Sequence, residues 1–531
     1  MLQKWNAYLF PAKDAGGGNG GGRVRWGRIS ASVCLLVVLS FGFICYTAFN
    51  SGEYNWWRCP GCVINPNKVR LAPTTTGNAA APLSAAGSRD AAPTNLSHIV
   101  FCIGGSVSTW SRRQGYSDLW WRQGQTRGHV WLDEEPRGGP SAWSAAGPPY
   151  RVSTDASQFG ARSSASRMAR IVAESQRLHA EDRSVRWFVM GDDDTVFFVD
   201  NLVATLGKYD HEEMYYVGAP SESVEQNEMH SYAMAFGGGG FAVSAPAAAE
   251  LARVIDGCLD RYAYFYGSDQ RVQSCLSELG VPLTREPGFH QLDLRGDAYG
   301  ILAAHPVAPL VSLHHLDYLE PIIPHRGGQL DALRTLVNAS LFDPGRILQQ
   351  SFCYEAQRAF TWSVSVSWGY TVQLYPTILA AKDMEVPFRT FKTWRSSSDG
   401  PFTFNTRPFP AGRPCEVPLL YFLSRVREEN VRDGTNITVS EYTLHSENIR
   451  GHCKDLPGYG AALTVETIKV FAPKMDPDAW KRVRLFSSTF GQHHDVILLT
   501  CFGNNVFFDR RIGGTAAKRG GLGGGRHWKC E

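Results

Sequence analysis

The sequence predicts an α/β domain that is preceded by one transmembrane helix and followed by a smaller β-rich domain. In the first half, short apolar strands alternate with segments of helical periodicity, an order that is typical of an α/β domain. After residue 341, alternating or β-branched strands are separated by turns rich in Pro and Gly. Near the N-terminus, the segment Ile29–Phe49 has 21 residues and no charge. These three patterns define the predicted architecture.

The uncharged segment Ile29–Phe49 predicts the membrane topology. As a helix it is about 31 Å long, which is enough to span a bilayer. Basic residues precede it and the first charge after it is Glu53, so the positive-inside rule places the N-terminus in the cytosol and the bulk of the chain in the lumen. A cleaved signal peptide is the alternative, although its apolar region is normally shorter. We therefore expect an uncleaved type II signal anchor.

Sequons and cysteines are consistent with a lumenal location. Glycosylation sequons begin at Asn95, Asn338 and Asn436. Ten cysteines follow the predicted membrane segment, and an even number in an oxidising compartment indicates disulfides, although their pairing cannot be read from the sequence. Cys59 and Cys62 form a lone CxxC pair without a second pair at metal spacing, which favours a juxtamembrane disulfide over a zinc site.

Composition separates the remaining segments and excludes one class of partner. The net charge is only +3 and charged residues make up 19%, so the chain has no electrostatic footprint for nucleic acid. The stretch before the α/β domain is rich in Ala, Pro, Thr and Ser and cannot bury a core. The predicted segments are a cytosolic tail (1–28), the anchor (29–49), a stem (50–96), the α/β domain (97–341), a β-rich accessory domain (342–511) and a disordered tail (512–531).

The α/β domain opens with elements that suit a nucleotide-binding half. The apolar run His98–Gly105 predicts the first strand, and Arg127–Glu135 predicts the second. Arg112 and Arg113 follow the first strand closely enough to meet a diphosphate, although exposed arginines are also common without a ligand. Apolar residues at helical spacing predict a helix over Ser163–Arg177, which leads into the next strand.

Three consecutive carboxylates, Asp192–Asp194, directly follow the apolar strand Trp187–Met190 and Gly191. Adjacent carboxylates repel one another, so their clustering is costly unless a cation or a ligand compensates them. Ligands of open α/β sheets bind outside the carboxyl ends of the strands, and the alternation of side chains lets Asp192 and Asp194 face one crevice. Such oxygen ligands suit Mg²⁺ or Mn²⁺ holding a diphosphate. A solvated acidic turn is the alternative.

The acids and several later motifs resemble one glycosyltransferase superfamily. GDDDTVFFVD is similar to the Asp-x-Asp signature of nucleotide-sugar glycosyltransferases with the GT-A fold, and more closely to the Fringe-like branch of the inverting β-1,3-glycosyltransferases. The later segments His305–Asp317 and Cys353–Pro376 are similar to the plant Fringe-like family of unassigned function. Three segments follow the acids in the superfamily's order: Ala235–Ser244 with its glycine loop, Tyr266–Val272 with its catalytic acid, and Gly288–Asp293 with its metal histidine.

The resemblance implies a fold and a role for each motif. The fold would be GT-A-like, with a Rossmann-like central sheet. Asp194 and His290 would bind the metal, with His314 and His315 as rival candidates for the histidine. The residues implied in donor binding are Asp192 and Asp193, near the ribose and the metal waters, and the glycines Gly237, Gly238, Gly239 and Gly240, which would let the backbone approach the donor sugar closely.

Asp269 is implied as the general base that deprotonates the acceptor hydroxyl. A base must lie within hydrogen-bond reach of that hydroxyl, and a site of low dielectric would raise the pKa of its carboxyl toward working pH. Ser268 and Asp269 stand where many relatives carry two acids, which leaves Asp269 as the sole base. An N-cap role for a helix over 270–279 is compatible with the catalytic role.

The resemblance also implies the function as a whole. We expect a membrane-bound glycosyltransferase of the Golgi that uses Mn²⁺ or Mg²⁺ to move a hexose or N-acetylhexosamine from a UDP-sugar to a glycan or glycoprotein hydroxyl. The reaction would invert the anomeric configuration and make a β-1,3 linkage. The alternative from another class is a catalytically silent Fringe-like lectin or scaffold. Metal-dependent hydrolysis of UDP-sugars would distinguish the two.

Overall fold

A computed structural model describes most of the chain after the predicted stem. The described residues are 92–139, 143–305, 309–324, 326–356, 361–430, 436–445, 453–456, 458–475, 505–509 and 529–530. No helix of these ranges combines the length and the apolar character that a membrane span requires. The predicted anchor Ile29–Phe49, like the CxxC pair and most of both tails, lies outside the described residues. The anchor therefore stays a prediction.

Helices and strands alternate through the first half of the described chain, and strands dominate the second half. The helices are α1 (Val107–Trp120), α2 (Ser163–Leu178), α3 (Val199–Leu206), α4 (Val224–Met229), α5 (Ala245–Arg261), α6 (Ser268–Glu278), α7 (Tyr299–Ala303), α8 (Gln329–Phe342), α9 (Ala381–Met384) and α10 (Tyr459–Ala462). The first strands are β1 (Ile99–Gly104), β2 (Arg127–Leu132), β3 (Tyr150–Val152), β4 (Trp187–Asp192), β5 (Val196–Phe197), β6 (Tyr216–Gly218), β7 (Phe241–Ser244), β8 (Leu283–Arg285), β9 (Phe289–His290), β10 (Leu294–Gly296) and β11 (Ser312–Leu313). The later strands are β12 (Gln350–Ala356), β13 (Thr361–Ser367), β14 (Thr371–Tyr375), β15 (Phe388–Arg389), β16 (Phe391–Thr393), β17 (Arg407–Pro408), β18 (Leu419–Asn430), β19 (Asn436–Leu444), β20 (Thr467–Pro473), β21 (Asn505–Asp509) and β22 (Lys529–Cys530).

A seven-stranded sheet of mixed direction forms the centre of the α/β part, with the order β3-β2-β1-β4-β7-β6-β8. Strands β3, β2, β1 and β4 run parallel, whereas β7 is antiparallel to both β4 and β6. Residues of β1 alternate between two apolar clusters: Phe101 lies in one, and Val100 lies in the other with helices α2, α5 and α6. This mixed α/β sheet with parallel strands is consistent with the predicted GT-A-like fold.

A second, eight-stranded antiparallel sheet follows, with the order β21-β20-β19-β18-β14-β13-β12-β22. Many of its apolar residues belong to the same core cluster as Phe101, among them Val364 of β13 and Tyr421 of β18. Strand β10 also pairs with β16, so residues on both sides of position 341 share hydrogen bonds. The domain boundary at 341/342 stays a prediction based on composition.

Two disulfides confirm that the chain uses its cysteines for cross-links. One joins Cys258 of α5 to Cys275 of α6, and the other joins Cys415 to Cys453. The first fastens two consecutive helices and closes a loop with a sequence separation of 17 residues. Asp269 lies within that loop.

Candidate functional site

The three acids lie at the carboxyl end of β4, next to the end of β1. Asp192 is the last residue of β4 and pairs in register with Gly104 of β1. Asp193 and Asp194 are buried in the turn that follows. Thr195 closes this turn, because its hydroxyl accepts the Asp192 N–H at 2.8 Å and donates to the Gly238 carbonyl at 2.7 Å. The acids therefore face the edge of the sheet where open α/β folds bind ligands.

Asp192, Asp194 and His314 form a group that could hold a cation. One ligand atom from each residue lies within 4.8 Å of the others. The Nε2 atom of His314 is 3.2 Å from Asp194 Oδ1 and 3.7 Å from Asp192 Oδ2. Within the described part of the chain, both Asp194 oxygens are buried without a hydrogen-bond donor of good geometry. Two carboxylates and an imidazole suit Mn²⁺, and the buried oxygens fit a cation that would satisfy them.

The electrostatics of this group reflect its burial. Burial raises the pKa of Asp192 to about 7, and the nearby carboxylates of Asp194 and Asp269 add to the effect. Burial disfavours the charged form of His314, yet the carboxylate of Asp194 outweighs it and raises the pKa of the imidazole to about 9. The concentration of negative charge thus attracts a positive group, whether a proton on His314 or a cation.

Arg113 of α1 forms ion pairs with the acidic turn. Its guanidinium lies 2.9 Å from Asp193 Oδ1, 3.1 Å from Asp194 Oδ2 and 2.8 Å from Asp317 Oδ2. Thr109 adds a hydrogen bond of 2.5 Å from its hydroxyl to Asp193 Oδ2. Arg112 is exposed on the same helix. Of the two arginines predicted to meet a diphosphate, the structure brings only Arg113 into contact with the acids.

The glycine loop packs against the other side chains of the site without room for a Cβ atom. A Cβ on Gly237 would lie 2.5 Å from Asp269 Oδ1, and one on Gly238 would lie 2.1 Å from His314 Cε1. The N–H of Gly239 donates to Gln291 Oε1 at 2.6 Å, and Gly240 has a φ of +89°, which favours glycine. The loop thus brings the backbone against Asp269 and His314, as a close approach requires.

Asp269 lies in the first turn of α6, next to Gly237 of the glycine loop. Burial raises the pKa of its carboxyl, and the hydrogen bond from the Gly237 N–H opposes this effect only in part. The helix begins at Ser268 with Gly267 as its N-cap, so the N-cap role considered for Asp269 is wrong. A carboxyl with a raised pKa beside a candidate metal group is suited to accept a proton.

The structure does not bring His290 into the acidic group. Its Nδ1 atom lies 2.9 Å from Glu222 Oε1, and its Nε2 atom lies 2.6 Å from Nε2 of His305. A small three-stranded sheet with the order β5-β11-β9 explains the difference. Strand β11 pairs with β5, which follows the acids, so His314 emerges beside them, whereas His290 in β9 is one strand farther away. His314, one of the two rival candidates, occupies the predicted position of the metal histidine.

The other rival, His315, turns away from the acids. It adopts a left-handed conformation with a φ of +54°, and its Nδ1 atom lies 3.0 Å from Asp293 Oδ1. Its ring stacks on Trp394 with 4.3 Å between the centroids. Trp394 was not expected from the sequence, because no local pattern shows that β16 pairs with β10 next to the site. Asp317 and Thr109 were also missed, because their contacts with Arg113 and Asp193 join segments that are far apart in the chain.

Two family models match the chain. The model described as Fringe-like matches residues 144–298, and the model described as Protein of unknown function, DUF604 matches residues 226–486. No curated protein matches the chain. The first match contains the three acids, the glycine loop and Asp269, whereas His314 and Trp394 fall only within the second.

Proposed function

We propose that the chain catalyses a metal-dependent inverting glycosyl transfer with a UDP-sugar as donor. The matches to the two family models, which point to a Fringe-like glycosyltransferase family, support this proposal. The chain would move a hexose or an N-acetylhexosamine to a hydroxyl group of a glycan or glycoprotein and form a β-1,3 linkage. One observation carries the proposal: a group of two carboxylates and a histidine, Asp192, Asp194 and His314, lies near a separate, partly buried carboxyl, Asp269.

The first group serves the leaving diphosphate. A Mn²⁺ or Mg²⁺ ion held there would neutralise the charge that develops on the departing UDP. Asp194 and Asp192 supply the oxygen ligands and His314 supplies a nitrogen ligand. Arg113 fixes the turn through Asp193 and Asp194, so the ligands are held in place before the donor binds.

The separate carboxyl, Asp269, acts on the acceptor. Asp269 accepts the proton of the acceptor hydroxyl while the acceptor oxygen attacks the anomeric carbon from the face opposite to the UDP. The bond between the anomeric carbon and the diphosphate oxygen breaks as the new glycosidic bond forms, and the configuration inverts. The Gly237 N–H holds the Asp269 carboxyl, so its position does not depend on the substrate.

The proposal for the compartment rests on the sequence alone. The charge asymmetry around Ile29–Phe49 supports a single-pass type II protein whose catalytic part faces the lumen. Glycosylation sequons support the same orientation. UDP-sugar donors and glycoprotein acceptors meet in the Golgi lumen, and we propose the Golgi membrane as the location.

The substitution Asp269→Asn tests the assignment of the base. It should lower transfer by about 10²–10⁴-fold, because an amide cannot accept the proton. Binding of UDP with Mn²⁺ should be unchanged, because Asp269 is not among the proposed ligands. The full-length protein is assayed over a panel of UDP-sugars by transfer and by calorimetry, with Asp260→Asn, an exposed change in α5, as the control.

Two outcomes would contradict the proposal in different ways. Near wild-type transfer by folded Asp269→Asn would show that the base lies elsewhere. Absence of metal-dependent UDP-sugar hydrolysis by the wild-type protein across the panel would favour the silent lectin or scaffold.

A further inference from the structure

Two tyrosines on the loop before Asp269 are unusually exposed for large aromatic residues. The rings of Tyr264 and Tyr266 are 67% and 75% exposed. Both tyrosines lie in the connection between α5 and α6. Tyr266 precedes Asp269 by three residues, so the Cα atoms of Tyr266 and Asp269 lie within about 11 Å of each other. Aromatic rings normally contribute to cores or interfaces, and neighbouring exposed rings indicate a binding surface.

This loop is rigidly attached to the helix that carries Asp269. The fully buried Arg271, two residues after Asp269, donates from Nη2 to the carbonyl oxygens of Ala263 and Phe265 at 3.1 and 2.9 Å. The Cys258–Cys275 disulfide clamps the two helices on either side of the loop. The exposed rings are therefore held in a fixed relation to the proposed base, and binding to them costs little ordering entropy.

Arg162 links the two tyrosines from a neighbouring segment. Its Nη1 atom donates to the Tyr264 carbonyl at 2.7 Å, and its guanidinium lies 5.5 Å from the centroid of the Tyr266 ring. The ring of Tyr264 packs against Phe265, with 4.5 Å between the centroids. The surface thus combines apolar ring faces, phenol hydroxyls and a guanidinium with several N–H donors.

We propose that Tyr264 and Tyr266, with Arg162, form the platform that binds the acceptor, and that the acceptor is a saccharide ring stacked on the tyrosines. The inference rests on the proposed function for the position of the attacked hydroxyl, which must reach Asp269. A sugar has an apolar C–H face that matches a tyrosine ring and hydroxyls that match phenol and guanidinium groups. Tyrosine provides such amphipathic contact area at a low entropic cost.

A protein partner or a second copy of the chain could also cover exposed rings. The position of the rings favours a saccharide, because the acceptor must approach Asp269 across the surface next to it. The exposed area is also small, formed by two rings and one guanidinium, whereas a stable protein interface involves about 20–30 residues on each side.

The test compares two pairs of substitutions in the full-length protein with UDP and Mn²⁺ present. The probes are the methyl β-glycosides of galactose, glucose, xylose and N-acetylglucosamine, titrated by saturation-transfer NMR. Tyr264→Ala with Tyr266→Ala should weaken binding of the recognised glycoside by about tenfold or more. Tyr264→Phe with Tyr266→Phe keeps the rings and loses only the phenol hydroxyls, so it should weaken binding much less than the alanine pair does. Ile378→Ala, an exposed apolar change in the β-rich part, is the control.

Each outcome supports or overturns the platform. Unchanged glycoside affinity in the alanine pair, an equal loss in the Ile378→Ala control, or no binding of any glycoside to wild type would overturn it. Circular dichroism checks the fold, and the single change Tyr266→Ala replaces the pair if the pair unfolds. UDP affinity in Mn²⁺, measured by calorimetry on the same proteins, should be unchanged. If UDP does not bind but the tyrosines still control glycoside affinity, the proposed function fails and the platform stands as a glycan-binding surface.

Discussion

Replacing Gly238 by alanine tests whether the glycine loop positions His314, the candidate metal ligand. Gly238 is buried, and its carbonyl accepts the hydrogen bond from Thr195. Its φ is outside the left-handed region, so alanine is compatible with the backbone. The substitution therefore probes one thing, the space between the loop and the ring of His314.

The structure gives the size of the conflict. The added Cβ would lie 2.1 Å from Cε1 and 2.3 Å from Nε2 of His314. Ordinary contact begins at 3.4 Å, so the ring must move by more than about 1 Å. The ring of His315, with 4.0 Å between the centroids, limits this movement. Because a misplacement of about 1 Å can cost about 10²-fold, we expect UDP affinity in Mn²⁺ to fall by about tenfold to 10²-fold.

A double-mutant cycle separates this effect from a general loss of stability. Gly238→Ala alone should lower the free energy of unfolding by about 1–3 kcal/mol through overpacking. In the His314→Ala background the ring is absent, so the same alanine should cost much less. Calorimetry measures UDP affinity and denaturant titration measures stability, with Gly412→Ala as the control because no atom would lie within 4 Å of its Cβ.

The reasoning would be refuted by either of two results. The first is wild-type affinity of Gly238→Ala for UDP in Mn²⁺. The second is an equal loss of stability with and without His314, which would mean that the alanine conflicts with some other part of the structure.

Three further predictions concern the metal group, a disulfide and the topology. Asp194→Asn keeps the shape but removes a ligand charge, so calorimetry should show a strong loss of Mn²⁺-dependent UDP binding; equal wild-type affinity with a chelator present would contradict the metal role. Cys258→Ser removes the disulfide that closes a loop of sequence separation 17, so denaturant titration should show a free energy of unfolding that is lower by about 3 kcal/mol. A reducing agent should therefore destabilise the Cys258→Ser protein less than it destabilises the wild type, because this disulfide is already absent. Protease added to sealed vesicles should spare residues 97–531, and their digestion would overturn the lumenal topology.

Local pattern was sufficient for the elements that lead to the site. The helix expected over Ser163–Arg177 is observed over Ser163–Leu178, and the strand expected from Trp187 is β4. Both depend on the spacing of apolar residues within one segment, which the sequence shows directly. The short apolar run Val196–Val199 was less informative, because it divides into the two-residue strand β5 and the start of α3. A run of four apolar residues carries too little periodicity to reveal that division.

Which histidine lies beside the acids could not be predicted by the same means. Motif order favoured His290, and order along the chain says nothing about which strand lies beside the acids. Strand β11 pairs with β5 and with β9, and only this pairing places His314 next to Asp194 and leaves His290 with Glu222. Pairing between distant short strands depends on tertiary packing, which local propensity does not encode.

The β-rich part contributes directly to the surroundings of the proposed site. Strand β16 pairs with β10, and the backbone N–H of Trp394 donates to the backbone carbonyl of Asp293 at 3.1 Å. The indole of Trp394 stacks on His315, whose ring lies 4.0 Å from that of His314. The position of His314, the candidate metal ligand, thus depends on residues from both sides of position 341. The composition differs between the two parts of the chain, but Trp394 of the second part packs against a histidine next to the candidate site of the first part.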